Sequence, residues 1–347
     1  MALTKRVSPR VLTVAFAALG AALFSIAGLP LPFLFGPMAA CLVAALAGAK
    51  LKGLGQISVA ARTILGVAVG ASITPDLLHQ IPLMAASVSL VPLYIILIAL
   101  VGVPFFNRFC GFDPVTSFYA AMPGGLQDMV IFGEAAGGNV RTLSLVHATR
   151  VLIIVTLAPI FLIHVYGVAL NNPIGAPAST IPLHELALMV VAAIVGWKGG
   201  ERIGLFGASI LGPIIVAAAM SMAGWIHMRP PKEAILASQF FIGMGIGVYY
   251  VGVTFRELRQ VVLSGIVFCI LLAMLAALFT EIVTLAGFAQ PVEAFLAYAP
   301  GGQAEMTVLA IVAGADLSFV ITHHLTRIIL VITGAPIAAR FLGMRKR

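Results

Sequence analysis

The sequence predicts an all-α polytopic membrane protein: two inverted repeats of about five transmembrane helices, each with a Pro-Gly-Gly-interrupted or re-entrant helix. Three observations carry this. Of 347 residues, 61% are hydrophobic and 9% charged, with mean hydropathy +1.12; a soluble surface needs roughly 25% charged residues. The apolar residues fall in long unbroken runs, whereas barrel strands alternate over ~10 residues. The chain also repeats itself: residues 120–129 read AAMPGGLQDM and 297–306 read AYAPGGQAEM.

A shift of 177 aligns Pro123 with Pro300, Gly124 with Gly301, Gly125 with Gly302, Asp128 with Glu305 and Met129 with Met306. The same shift aligns Gly66 and Gly70 with Gly243 and Gly247, Pro114 with Pro291, His147 with His324, and Arg150 with Arg327. A shift of 176 aligns Gly20 with Gly196 and Gly36-Pro37 with Gly212-Pro213. The chain therefore divides into repeats at 1–175 and 176–347.

Apolar runs in the first repeat cover 11–28, 33–49, 57–74, 82–105 and 141–168; in the second, 184–197, 203–224, 234–252, 260–288 and 318–339. Each reaches or approaches the ~20 residues that cross a core of ~30 Å. The shortest, 184–197, is accepted because its counterpart is convincing. Lys5, Arg6 and Arg10 before the first run imitate a signal peptide. That run is long enough to span and has a later counterpart, so it is read as the first transmembrane helix. Cys41, Cys110 and Cys269 form no CxxC or zinc spacing, and no disulfide is expected.

The sixth element of each repeat, roughly 112–136 and 292–313, holds the Pro-Gly-Gly. That tripeptide removes a donor and loosens the backbone, so an unbroken helix is not expected. A broken crossing helix and a re-entrant hairpin both remain. Charge favours the hairpin. With Arg62, Arg150 and Arg327 set aside inside apolar runs, a re-entrant element and a cytoplasmic N-terminus leave Arg229 and Lys232 outside. Lys5, Arg6, Arg10, Lys50, Lys52, Arg108, Arg141, Lys198, Arg202, Arg256, Arg259, Arg340, Arg345, Lys346 and Arg347 are then cytoplasmic, 15 against 2. A crossing element gives 12 against 5. Five spans per repeat is odd, which inverts the second copy, as in many secondary transporters.

Irregular backbone at membrane depth is tolerated only when buried in protein or lining a wet cavity. Equivalent breaks therefore point to one central substrate or ion site. Its candidates are Pro123, Gly124, Gly125, Gln127, Asp128, His147 and Arg150, with Pro300, Gly301, Gly302, Gln303, Glu305, His324 and Arg327. The acids would exchange protons or bind a cation. Asp128–Arg150 and Glu305–Arg327 are the natural ion pairs, which would make the arginines staples and remove the hint they give of an anionic solute. His323 points away from His324, so the two are no ready metal clamp. Gly66, Gly70, Gly243 and Gly247 read as close helix packing. Pro37 and Pro213 read as helix-start or kink positions. No metal or other cofactor is expected.

MPGGLQDM and APGGQAEM, each followed by H-x-x-R, make nearly the whole chain resemble the AbrB family of duplicated bacterial membrane proteins. That family is often labelled an ammonia monooxygenase or a regulator, and is distinct from the small soluble DNA-binding AbrB. The resemblance implies a multi-pass inner-membrane protein akin to inverted-repeat secondary transporters. The leading reading is a transporter of a small solute, an anion among the candidates, coupled to protons or cations. A non-transporting membrane regulator or sensor comes second. A monooxygenase comes last, because the seven histidines are scattered. The expected partners are the bilayer and a small molecule or ion; a homodimer is the candidate assembly, and no nucleic acid is expected.

Overall fold

The computed structural model describes residues 8–205 and 207–343. Lys5, Arg6, Arg345, Lys346 and Arg347, used in the charge count, lie outside the described residues. No strand forms among the described residues. The first repeat folds as α1 (Pro9–Ile26), α2 (Pro32–Leu46), α3 (Gln56–Gly70), α4 (Pro75–Pro104, continued by a π turn), α5 (Pro114–Ala121), α6 (Leu126–Ala136) and α7 (Val140–His164). The second folds as α8 (Leu183–Arg202), α9 (Ala208–Met222), α10 (Lys232–Val248), α11 (Phe255–Leu285), α12 (Pro291–Tyr298), α13 (Gln303–Ala313) and α14 (Leu317–Phe341). The bounds of α5, α6 and α7 recur in α12, α13 and α14 at a shift of 177, and those of α2 recur in α9 at 176.

Local chemistry sets these boundaries. Asp113 caps α5 by accepting from the Thr116 N–H at 2.9 Å, with Pro114 at the first helical position. Asn139 and Asp316 cap α7 and α14. Gly137 and Gly314 end α6 and α13 at φ of 96° and 69°, a region that penalises any Cβ.

Among the described residues, α1, α4, α7, α8, α11 and α14 are long and apolar enough to cross a membrane. Exposed side chains such as Leu19, Leu23, Ile96, Leu100, Ile194 and Ile270 make these helices apolar on the outside, which suits lipid. The protein is thus a multi-pass membrane protein. α8 outruns the expected 184–197 because its polar end stays helical, with Lys198 and Glu201 paired at 2.9 Å. The other four expected spans are shorter. α2, α3 and α9 have 15 residues and α10 has 17, so each rises only ~22–26 Å. Pro37 and Pro213 lie inside α2 and α9, past the first turn.

The helices gather into two bodies. The first joins α1, α2 and α3 to α8, α9 and α10. Within it the repeats interlock, with α3 packing on α9 and α10 on α2. Glycines permit the approach. A Cβ on Gly70 would sit 2.5 Å from the Ile214 carbonyl oxygen, and one on Gly243 would sit 2.1 Å from that of Leu34. The second body joins α4–α7 to α11–α14. Its centre includes Tyr94, Phe279 and Tyr298, with ring centroids 5.0–5.4 Å apart.

Each Pro-Gly-Gly is the tip of a hairpin. In the first copy the Asn139 N–H, beyond the second arm, donates to Thr116 Oγ1 at the start of the first arm, at 2.8 Å. At the equivalent positions the Asp316 N–H donates to Glu293 Oε1 at 3.3 Å. An arm that carried on across the membrane could not return to its own base. Arms of 8 and 11 residues rise ~12 and ~16 Å, about half of a bilayer core.

Candidate functional site

The chain is non-helical at 122–125 and 299–302, so the first arm of each hairpin ends in carbonyls with no helical acceptor role left. H-x-x-R on the following helix supplies the donors. Arg150 donates to the Met122 and Gly124 carbonyls at 3.1 and 2.6 Å. Arg327 donates to those of Ala299 and Gly301 at 2.9 and 2.8 Å. His147 Nε2 meets the Tyr119 carbonyl at 3.0 Å, and His324 Nε2 meets that of Leu296 at 2.9 Å. In the second copy Arg327 also donates to His324 Nδ1 at 3.0 Å, which leaves the ring proton on Nε2, where it can donate to Leu296. Three-residue spacing puts His and Arg on one helix face; the half-helix end, with its partial negative charge, is what that face caps.

The expected ion pairs Asp128–Arg150 and Glu305–Arg327 do not form. The arginines are committed to the first arm, while both acids belong to the second. Each acid is the third residue of its helix and folds back over the helix start. A Cβ on Gly125 would lie 2.5 Å from Asp128 Oδ2, and one on Gly302 would lie 2.1 Å from Glu305 Oε2. The other glycine makes room for the methionine: a Cβ on Gly124 or Gly301 would lie 2.7 or 2.6 Å from the Met129 or Met306 methyl. P-G-G-x-x-(D/E)-M is therefore a packing unit, each glycine matched to one later side chain.

The two hairpin tips line one cavity of about 150 Å³ between the bodies. Gly125, Gln127 and Asp128 come from the first tip, and Gly302, Gln303 and Glu305 from the second. The opposite wall is Arg62 of α3, Gly207, Ser209, Ile210 and Leu211 at the start of α9, and Ile242, Gly245 and Ile246 of α10 with Tyr249 just past its end. The two tips differ in exposure. Gln127 is exposed and Asp128 half-buried, whereas Gln303 and Glu305 are buried. Both amide atoms of Gln303 lack a hydrogen-bond partner.

Of the expected site residues, those six line the cavity; Pro123, Gly124, His147, Arg150, Pro300, Gly301, His324 and Arg327 do not. His323 turns away, bonding Phe319 and Ser87. Among the described residues no three His, Cys, Asp or Glu side chains cluster as metal ligands.

Arg62 lies inside an apolar run and outside the expected site. Its Nη1 donates to Gln127 Oε1, joining the six-helix body to the first hairpin. The available signal was an arginine inside an apolar run, whose counterpart at a shift of 177 is another polar residue, Gln239. Ser209 and Tyr249 gave no such signal.

A polytopic helical membrane protein, whose two sequence repeats each send a half-length hairpin to one cavity, is the class this fold defines. The chain belongs to the family whose model, described as "Transition state regulatory protein AbrB", matches residues 33–343. It is 26% identical over 360 residues to "Uncharacterized protein YhjN" of Bacillus subtilis (strain 168), covering 95% of this chain and 92% of that protein. It is 24% identical over 323 residues to "Putative regulator AbrB" of Escherichia coli (strain K12), covering 91% of each.

Proposed function

We propose that this protein is an inner-membrane secondary transporter of a small solute, coupled to protons or cations, and that the cavity between the bodies is its transport site. One observation carries the reading. Equivalent hairpin tips, each with an acid at the start of a half-helix, line one cavity that is more open at the first tip than at the second. Exchanging the environments of two related halves gives an opposite-facing state, the basis of alternating access in repeat-built transporters. In this reading the hairpins leave an odd number of spans per repeat, which would invert the second repeat, and the charge distribution favours cytoplasmic termini.

With Arg150 and Arg327 occupied as caps, the anion hint passes to Arg62. Asp128 and Glu305 are the coupling groups in this reading. Flux in reconstituted vesicles, driven by a proton or sodium gradient, is to be compared for wild type, Asp128→Asn and Glu305→Gln. Loss of gradient-driven flux in folded variants supports the assignment; undiminished flux in both removes the acids from the mechanism. The second reading, a non-transporting regulator or sensor, draws on the name of the Escherichia coli relative, "Putative regulator AbrB". Solute binding with no flux at all would select it.

A further inference from the structure

We propose that the cavity takes a small carboxylate bearing a hydrogen-bond donor on the neighbouring carbon, the chemistry shared by 2-amino and 2-hydroxy acids. In this arrangement Arg62 receives the carboxylate, and Gln303 with Glu305 receives the donor. The inference rests on the reading of this cavity as the solute site and names the class of solute.

Size comes first. A cavity of about 150 Å³ holds a molecule about as large as benzene, roughly six non-hydrogen atoms. That admits the shortest 2-amino and 2-hydroxy acids and excludes nucleotides and sugars. Polarity comes next. Arg62 is the sole cationic side chain in the cavity wall among the described residues, and only one of its donors has a bond there. A guanidinium offers five donors in a planar fork that matches a carboxylate. Gln303 adds an orphaned donor and an orphaned acceptor together, with 6% of its surface exposed. A guest with acceptor and donor on adjacent carbons answers both, and a simple carboxylate answers only one. Glu305, two residues further along the same helix, is a second acceptor for the donor.

Charge agrees. Arg62 and the positive ends of the two half-helices roughly offset the carboxylates of Asp128 and Glu305. A guest carrying an ammonium group keeps that balance unaided. A guest carrying a hydroxyl adds one negative charge, which a co-transported proton or cation would neutralise.

The test is titration of the purified full-length chain in lipid nanodiscs with alanine, lactate, propionate and 2-propanol. Alanine or lactate should bind at least tenfold more tightly than propionate, and 2-propanol should not bind. The tighter of the first two identifies the donor as ammonium or hydroxyl. Arg62→Gln installs the residue type the second repeat has at 239 and should weaken binding at least tenfold. Arg62→Lys, a second variant in case that one fails to fold, should weaken it less. Gln303→Leu should bring alanine and lactate down to the level of propionate. Thr333→Ala, on an exposed face of α14 outside the cavity, should preserve binding.

Propionate binding as well as the others, no probe binding, or Arg62→Gln binding like wild type would overturn the proposal. So would Thr333→Ala losing as much as Arg62→Gln, since the loss would then not belong to the cavity. Counterflow of the bound probe separates the two readings. Binding without flux ends the transport reading and leaves the ligand assignment standing; flux of another solute with no probe bound does the reverse.

Discussion

Replacing Arg150 by Met tests the hairpin cap directly. In the folded protein its guanidinium, 2% exposed, donates to the Met122 and Gly124 carbonyls. Hydrogen bonds to a charged donor contribute about 1.5–3 kcal/mol each, so two lost bonds cost about 3–6 kcal/mol. The variant recovers the cost of burying the guanidinium, which trims the net loss to about 2–4 kcal/mol. Denaturant unfolding in mixed micelles would be measured for wild type, Arg150→Met, Asp128→Asn and the double variant. If Arg150 serves the carbonyls and not the acid, the single effects should add to within about 0.5 kcal/mol. A loss below about 1 kcal/mol, or a coupling above about 1 kcal/mol to Asp128→Asn, would refute the cap.

The glycine contacts give a second set of outcomes. Gly243→Ala forces a Cβ to 2.1 Å from a backbone oxygen of the other repeat, so it should destabilise by about 1–3 kcal/mol in the same unfolding assay. Gly334→Ala, in α14 with nothing within 4 Å, should instead stabilise by about 0.5–1 kcal/mol. Gly302→Ala should displace the Glu305 carboxylate and lose stability, and adding Glu305→Ala should restore most of that loss; no recovery would mean that the glycine is needed for another reason. For topology, Ser179→Cys in a background without Cys41, Cys110 and Cys269 should react with an impermeant maleimide only from outside. Reaction only from the cytoplasm would remove the odd-span, inverted arrangement.

The sequence by itself determined the membrane class, the duplication and the two breaks. These depend on composition and on local backbone chemistry: Pro and Gly interrupt a helix wherever the chain goes, and an apolar run of sufficient length is helical in lipid. The interlocking of the repeats was half-legible. Gly66, Gly70, Gly243 and Gly247 announced close packing, but only the tertiary structure showed that each pair packs against the opposite repeat. It also decided between hairpin and crossing helix, through contacts between Thr116 and Asn139 and between Glu293 and Asp316, each pair 23 residues apart. It moved Arg150 and Arg327 from the acids to the carbonyls, and brought Arg62 from α3 to the first hairpin. The reason is the same in each case. A donor bonds whichever acceptor the packing brings within about 3 Å, and that partner is chosen by chain segments too far apart in sequence for local pattern to relate them.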